Sequence, residues 1–103
     1  MNTDTLVAHI RSDLLAARKE RDAVRSQALL SLVNALDNAS AVDAPIVISV
    51  TEVTRRVLSV EDVKEIIRNE INEMQEALAI YKDIDAEQTE KLEIKISTLQ
   101  SYI

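Results

Sequence analysis

Apolar side chains recur along this sequence at steps of three and four, the spacing that places residues on one face of a helix. The longest such run is residues 59–82, SVEDVKEIIRNEINEMQEALAIYK. Val60, Val63, Ile67, Ile71, Met74, Leu78 and Tyr81 form one stripe there, and Ile66 widens it. Ser59 stands where a helix cap belongs, with Asp62 three residues later in the acidic place of a capping-box pattern. The pattern predicts a helix over about 60–82. Asp83, Ile84 and Asp85 then make a short turn, and Asp85 can cap a further helix over about 86–102. Leu92, Ile96, Leu99 and Ile103 share a face of that helix, flanked by Ile94 and Tyr102. The short turn makes the two helices an antiparallel αα-hairpin.

The first forty residues carry two more stripes. Leu6, Ile10, Leu14 and Ala17, with Val7 beside them, predict a helix over about 4–20, capped by Thr3 or Asp4. Val24, Ala28, Leu29, Leu32, Val33 and Leu36 predict another over about 23–39, capped by Asp22. No Pro or Gly divides these two stripes, so one continuous helix is the competing arrangement. Two helices are preferred because each stripe then has a face to pack on. Between the halves lies an irregular segment, residues 40–58. Pro45 disfavours helix, and Ile46, Val47, Ile48 and Val50 are β-branched with no partner strand in sight. The expectation is a long loop that lays aliphatic side chains over the bundle. The fold class predicted is all-α, a single domain of four helices over residues 1–103.

Composition sharpens this. The chain has no Gly, one Pro and no Cys. Ala, Leu, Ile, Val, Glu and Arg favour helices. Without glycine, a P-loop, a nucleophile elbow or a dinucleotide fingerprint is excluded. Without cysteine there is no disulfide framework and no thiolate metal site. No apolar run approaches the length of a membrane span, and the N-terminal residues lack the pattern of a secretory signal. A cytoplasmic protein with no membrane contact and no cofactor is expected. The net charge is −6, and it is unevenly spread. Residues 1–40 hold five acids and five bases, while the remainder holds thirteen acids and seven bases. The second half therefore repels a phosphate backbone, and nucleic-acid contact belongs to the first half.

Candidate chemistry is sparse. His9 is the only histidine and sits beside the first stripe, where a structural role outweighs a metal role. Glu70, Glu73 and Glu76 repeat at three-residue steps but lack the Glu-x-x-His pairing of a di-metal bundle, so a solvated face is expected. Neither a catalytic set nor a metal site is expected. Arg18, Arg21 and Arg25, joined by Lys19, share a face if one helix runs through them. They are the candidate nucleic-acid-binding residues, with Arg55-Arg56 a lesser cluster. Glu20 and Asp22 lie among them, and no aromatic residue interleaves for base stacking.

Four stretches together resemble the GatB/YqeY family, small helical proteins related to the tail domain of the B subunit of the glutamine-dependent aminoacyl-tRNA amidotransferase. They are IRSDLLAARKERDAVR (10–25), LVNALDNASAV (32–42), EVTRRVLSVEDVKEIIRNE (52–70) and EKLEIKISTLQSYI (90–103). The third is similar to a form seen in actinobacterial members. The resemblance implies an accessory helical domain under a family label of carbon–nitrogen ligase with glutamine as amido-N-donor. It places catalysis in other domains and makes tRNA or a tRNA-modifying complex the expected partner. The alternative is a protein–protein interaction module, motivated by the acidic balance and the aliphatic segment 46–50.

Overall fold

The computed structural model describes residues 2–40 and 57–103. Among them the chain forms four helices and no strand: α1 (Thr3–Lys19), α2 (Ala23–Ser40), α3 (Val60–Tyr81) and α4 (Ala86–Gln100). The fold is the all-α, four-helix arrangement that periodicity predicts. The interior of the expected loop, with Pro45, the aliphatics 46–50 and Arg55-Arg56, lies outside the described residues.

α1 and α2 are separate helices, and the residues between them both end one and begin the next. The Asp22 N–H donates to the Ala17 carbonyl at 2.9 Å and the Arg21 N–H to the Arg18 carbonyl at 3.1 Å. This is the paired bonding of a Schellman stop. It requires a left-handed residue, and Arg21 takes that role at φ 58°. Glycine is the usual occupant, and this chain has none. A side chain in that region costs about 1–2 kcal/mol, which the surrounding bonds must offset. One residue later the Asp22 carboxylate accepts the Arg25 N–H at 3.1 Å and caps α2.

The other caps follow the same chemistry. α1 is capped by Asn2, whose side-chain oxygen accepts the Thr5 N–H at 2.8 Å. Thr3 and Asp4, expected as caps, instead lie inside the first turn. Asn is among the best cap residues, and Asp4 in the first turn meets the positive end of the helix dipole. Ser59 and Asp62 form a full capping box, with backbone-to-side-chain distances of 3.1 and 3.0 Å. Asp85 caps α4 through the N–H groups of Glu87 and Gln88. α4 stops at Gln100 instead of residue 102. There the ladder tightens to three-residue bonds, Tyr102 N–H to Leu99 and Ile103 N–H to Gln100. That turn carries Ile103 off the buried face, and it is 48% exposed.

The core joins stripes from all four helices. Leu6, Ile10, Leu14 and Ala17 of α1 meet Ala28, Leu29, Leu32, Val33 and Leu36 of α2. Val63, Ile67 and Ile71 of α3 and Ile96 and Leu99 of α4 complete it, together with Leu58 ahead of α3. No polar side chain is buried among the described residues. α2 touches each of the other three helices, whereas α3 and α4 lie chiefly against each other and α2. Burial then stops abruptly. From residue 72 to residue 95 no side chain is buried. Met74, Leu78 and Leu92 are only partly covered, and Tyr81 is exposed. The α3–α4 hairpin thus runs on beyond the α1–α2 layer, and the molecule is elongated at 53 × 26 × 25 Å.

Leu29 has no solvent exposure, so Leu29→Ala is expected to lower the unfolding free energy by about 2–5 kcal/mol in urea titrations. A change at Arg21 tests the turn. Arg21→Gly is expected to raise stability by roughly 1 kcal/mol, whereas Arg21→Val lowers it, because a β-branched residue fits the left-handed region worst. Equal midpoints for the two variants would contradict the turn geometry.

Candidate functional site

The four expected nucleic-acid-binding residues do not share one helix face. α1 ends at Lys19 and Arg21 is left-handed, so the continuous helix that would align them is absent. Arg18 and Lys19 occupy the last turn of α1, where cations complement the negative end of the helix dipole. Arg18, Lys19 and Arg21 are exposed, and none forms an ion pair among the described residues. Arg25 differs. It is half-buried, its guanidinium lies 3.7 Å from the Glu20 carboxylate, and it lines a cleft with Asp13, Glu90, Glu93 and Tyr102. The turn therefore keeps three of the four cations at one exposed corner and directs the fourth toward carboxylates.

That cleft, about 540 Å³, holds a contact that links α1 to the turn after α4. The Tyr102 hydroxyl donates to the Asp13 carboxylate at 2.5 Å. The same carboxylate oxygen lies 3.3 Å from His9 Nε2, one turn earlier on α1. The His9 ring meets the Tyr102 ring edge-on, with centroids 5.9 Å apart. Burial pushes the Tyr102 hydroxyl pKa well above the usual tyrosine value. The hydrogen bond to Asp13 and the charge of that carboxylate add to the rise, and Arg25 partly opposes it. A hydroxyl held in its protonated form donates and does not serve as a base at neutral pH. The group is a clasp from the end of α4 to the middle of α1. Nothing in residue spacing announces it, because Asp13 and Tyr102 lie 89 residues apart. The sequence pattern had left Tyr102 merely flanking a stripe and His9 merely structural.

Glu70, Glu73 and Glu76 of α3 do not share one environment, since Glu70 is half-buried against α2. Glu70 accepts the Ser31 hydroxyl at 2.9 Å, and Glu73 and Glu76 are exposed. No cluster of His, Asp or Glu among the described residues has the arrangement of a metal site. A groove of about 630 Å³ runs between the start of α1 and the end of α2, crossed by an Arg11–Asp37 ion pair at 2.6 Å. No helix of the described residues is long and apolar enough to cross a membrane. Comparison with family models, curated proteins and solved structures finds no match to this chain.

Tyr102 gives a pH signature. Its folded-state pKa lies above its unfolded value of about 10. Its stabilising contribution is therefore complete below pH 10 and is lost as pH rises toward the folded-state value. Tyr102→Phe is expected to cost about 1 kcal/mol at pH 7, the scale of one partly exposed hydrogen bond to a charged group. Above pH 10 the urea midpoints of wild type and variant should converge. A difference that stays constant to pH 11.5 would rule out the clasp.

Proposed function

We propose that this chain is a non-catalytic accessory domain of the GatB/YqeY type that associates with tRNA through the corner between α1 and α2. The observation that carries this is the trio Arg18, Lys19 and Arg21, exposed and without ion pairs among the described residues. Lysine and arginine heads left in water at a convex corner are available to displace counterions from a phosphate backbone. Support also comes from the four stretches that resemble the family and from their order along the chain. The corner stands in the charge-balanced part of the chain, whereas the acidic remainder repels a polyanion. Contact is therefore local and sensitive to salt. Any glutamine-dependent amide transfer in such an assembly belongs to other subunits, and no step of it is assigned to residues of this chain. The second reading, a protein-binding module, is favoured by the uncovered α3–α4 hairpin.

A tRNA titration across salt concentrations tests the first reading. About three phosphate contacts give a slope of roughly −2 to −3 in log affinity against log salt. Arg18→Ala, Lys19→Ala and Arg21→Gly together are expected to abolish binding without loss of fold, since Gly suits the left-handed position. Arg25→Ala is expected to change it little. Absence of tRNA binding by the wild type at low salt would end this reading.

A further inference from the structure

The distal hairpin is one helix short of the packing seen at the other end of the molecule. α3 shows where the missing element belongs. Glu70 faces α2 and accepts from Ser31, and Ile66, one turn earlier, packs against the core. Continuing along that side of α3 at steps of three and four brings Glu73, Ala77 and Tyr81, the last residue of the helix, and Ile84 follows in the turn. α2 meets that side of α3 through Ser31 at Glu70, and α2 itself begins at Ala23. Beyond it Tyr81 is 39% exposed, Ile84 79%, and the adjacent Ile80 64%. These residues are three of the eight exposed large hydrophobic side chains among the described residues. Three such side chains within five residues mark an interaction surface, whereas scattered exposed aliphatics do not.

Charge selects the occupant. Between residues 73 and 93 the chain carries seven acidic side chains and two lysines, and one of these, Lys91, is already paired with Glu87 at 3.1 Å. A second copy of the chain would bring like charge against like charge, which is costly at an interface. A polyanion is disfavoured for the same reason. A helix with an apolar stripe and a basic flank satisfies both features, since its aliphatics cover Ile80, Tyr81 and Ile84 while its lysines or arginines meet the carboxylates around them. We propose that the α3–α4 hairpin beyond Ile71 is a docking surface for a basic amphipathic helix of a partner protein, seated as a continuation of the α2 row. This deepens the protein-binding reading and does not depend on the corner at Arg18, Lys19 and Arg21.

The test uses the whole chain and two synthetic eighteen-residue amphipathic helices, one of Leu and Lys, the other of Leu and Glu. Binding is followed by amide chemical-shift changes. The Leu/Lys peptide is expected to bind, with shifts concentrated at residues 73–94, and the Leu/Glu peptide is expected to give none. Ile80→Asn combined with Ile84→Asn leaves every charge in place and removes exposed side chains only, so the fold is retained, as circular dichroism will verify. That variant is expected to bind the Leu/Lys peptide at least tenfold more weakly, whereas Arg18→Ala with Lys19→Ala leaves its affinity unchanged. Three outcomes would overturn the proposal. One is no binding of the basic peptide, and another is binding that the double Asn variant does not weaken. The third is a dimer in sedimentation that the same variant dissociates, which would assign the surface to a second copy. Each is separable from loss of tRNA binding, which the corner variants alone report.

Discussion

The structure depends on the burial of α2. Ala28, Leu29 and Leu32 have no solvent exposure, and Val33 and Leu36 have almost none. Five buried positions on one helix cover more than a single stripe facing a single neighbour. α2 packs against α1 and against both helices of the α3–α4 hairpin. Each fully buried Leu or Ile is worth about 1.5–3 kcal/mol of transfer free energy, so α2 is where four otherwise marginal helices become one cooperative unit. No buried polar side chain offsets this gain, and no buried side-chain polar atom lacks a hydrogen-bond partner among the described residues.

Where α2 begins and ends therefore sets much else. Its start is fixed by a turn made without glycine, with Arg21 accepting a strained backbone and Asp22 serving as both the stop of α1 and the cap of α2. Because α2 starts there, α3 and α4 extend past it with no other helix of the described residues above them. The same turn leaves Arg18, Lys19 and Arg21 in water and directs Arg25 toward Glu20 and the Tyr102 cleft. One local conformation thus produces the exposed basic corner and marks the start of the exposed acidic hairpin. The two surfaces differ in sign of charge and in apolar content, so they suit different partners.

Much of this was legible in the residues. Helix periodicity placed all four elements within two residues at each end, and Ser59, Asp62, Asp22 and Asp85 declared their caps, since a short polar side chain before an apolar stripe has few other uses. Burial along each stripe was only half legible. Leu78 and Tyr81 follow the same spacing as Ile67, but spacing reports a face, and whether anything covers that face depends on the length of the neighbouring helix. The geometry of the basic cluster was legible only conditionally, for a related reason. The three-and-four spacing of Arg18, Arg21 and Arg25 aligns them only on an unbroken helix, and the break is made by backbone conformation at a residue with no local signal for it. The Asp13–Tyr102 clasp was not legible at all, because it arises from the docking of segments 89 residues apart, which no short-range pattern records.

The clasp bears on how the hairpin is held. α4 is short of buried side chains, contributing only Ile96 and Leu99 to the core, both near its C-terminal end. A hairpin anchored at one end and uncovered along the rest is a lever, and motion at its tip is resisted only at the anchor. Tyr102 ties that anchored end to α1, a helix with which α4 otherwise has little contact. The bond is charge-assisted and partly buried, the kind that retains strength when its surroundings are kept from water. Because Ile80 and Tyr81 stand on a helix packed along α4, a partner helix of the kind proposed would meet a surface whose ordering cost has largely been met by folding. The burial of α2, the turn at Arg21 and the Tyr102 clasp thus act on one outcome, a rigid two-helix arm held out beyond its own core.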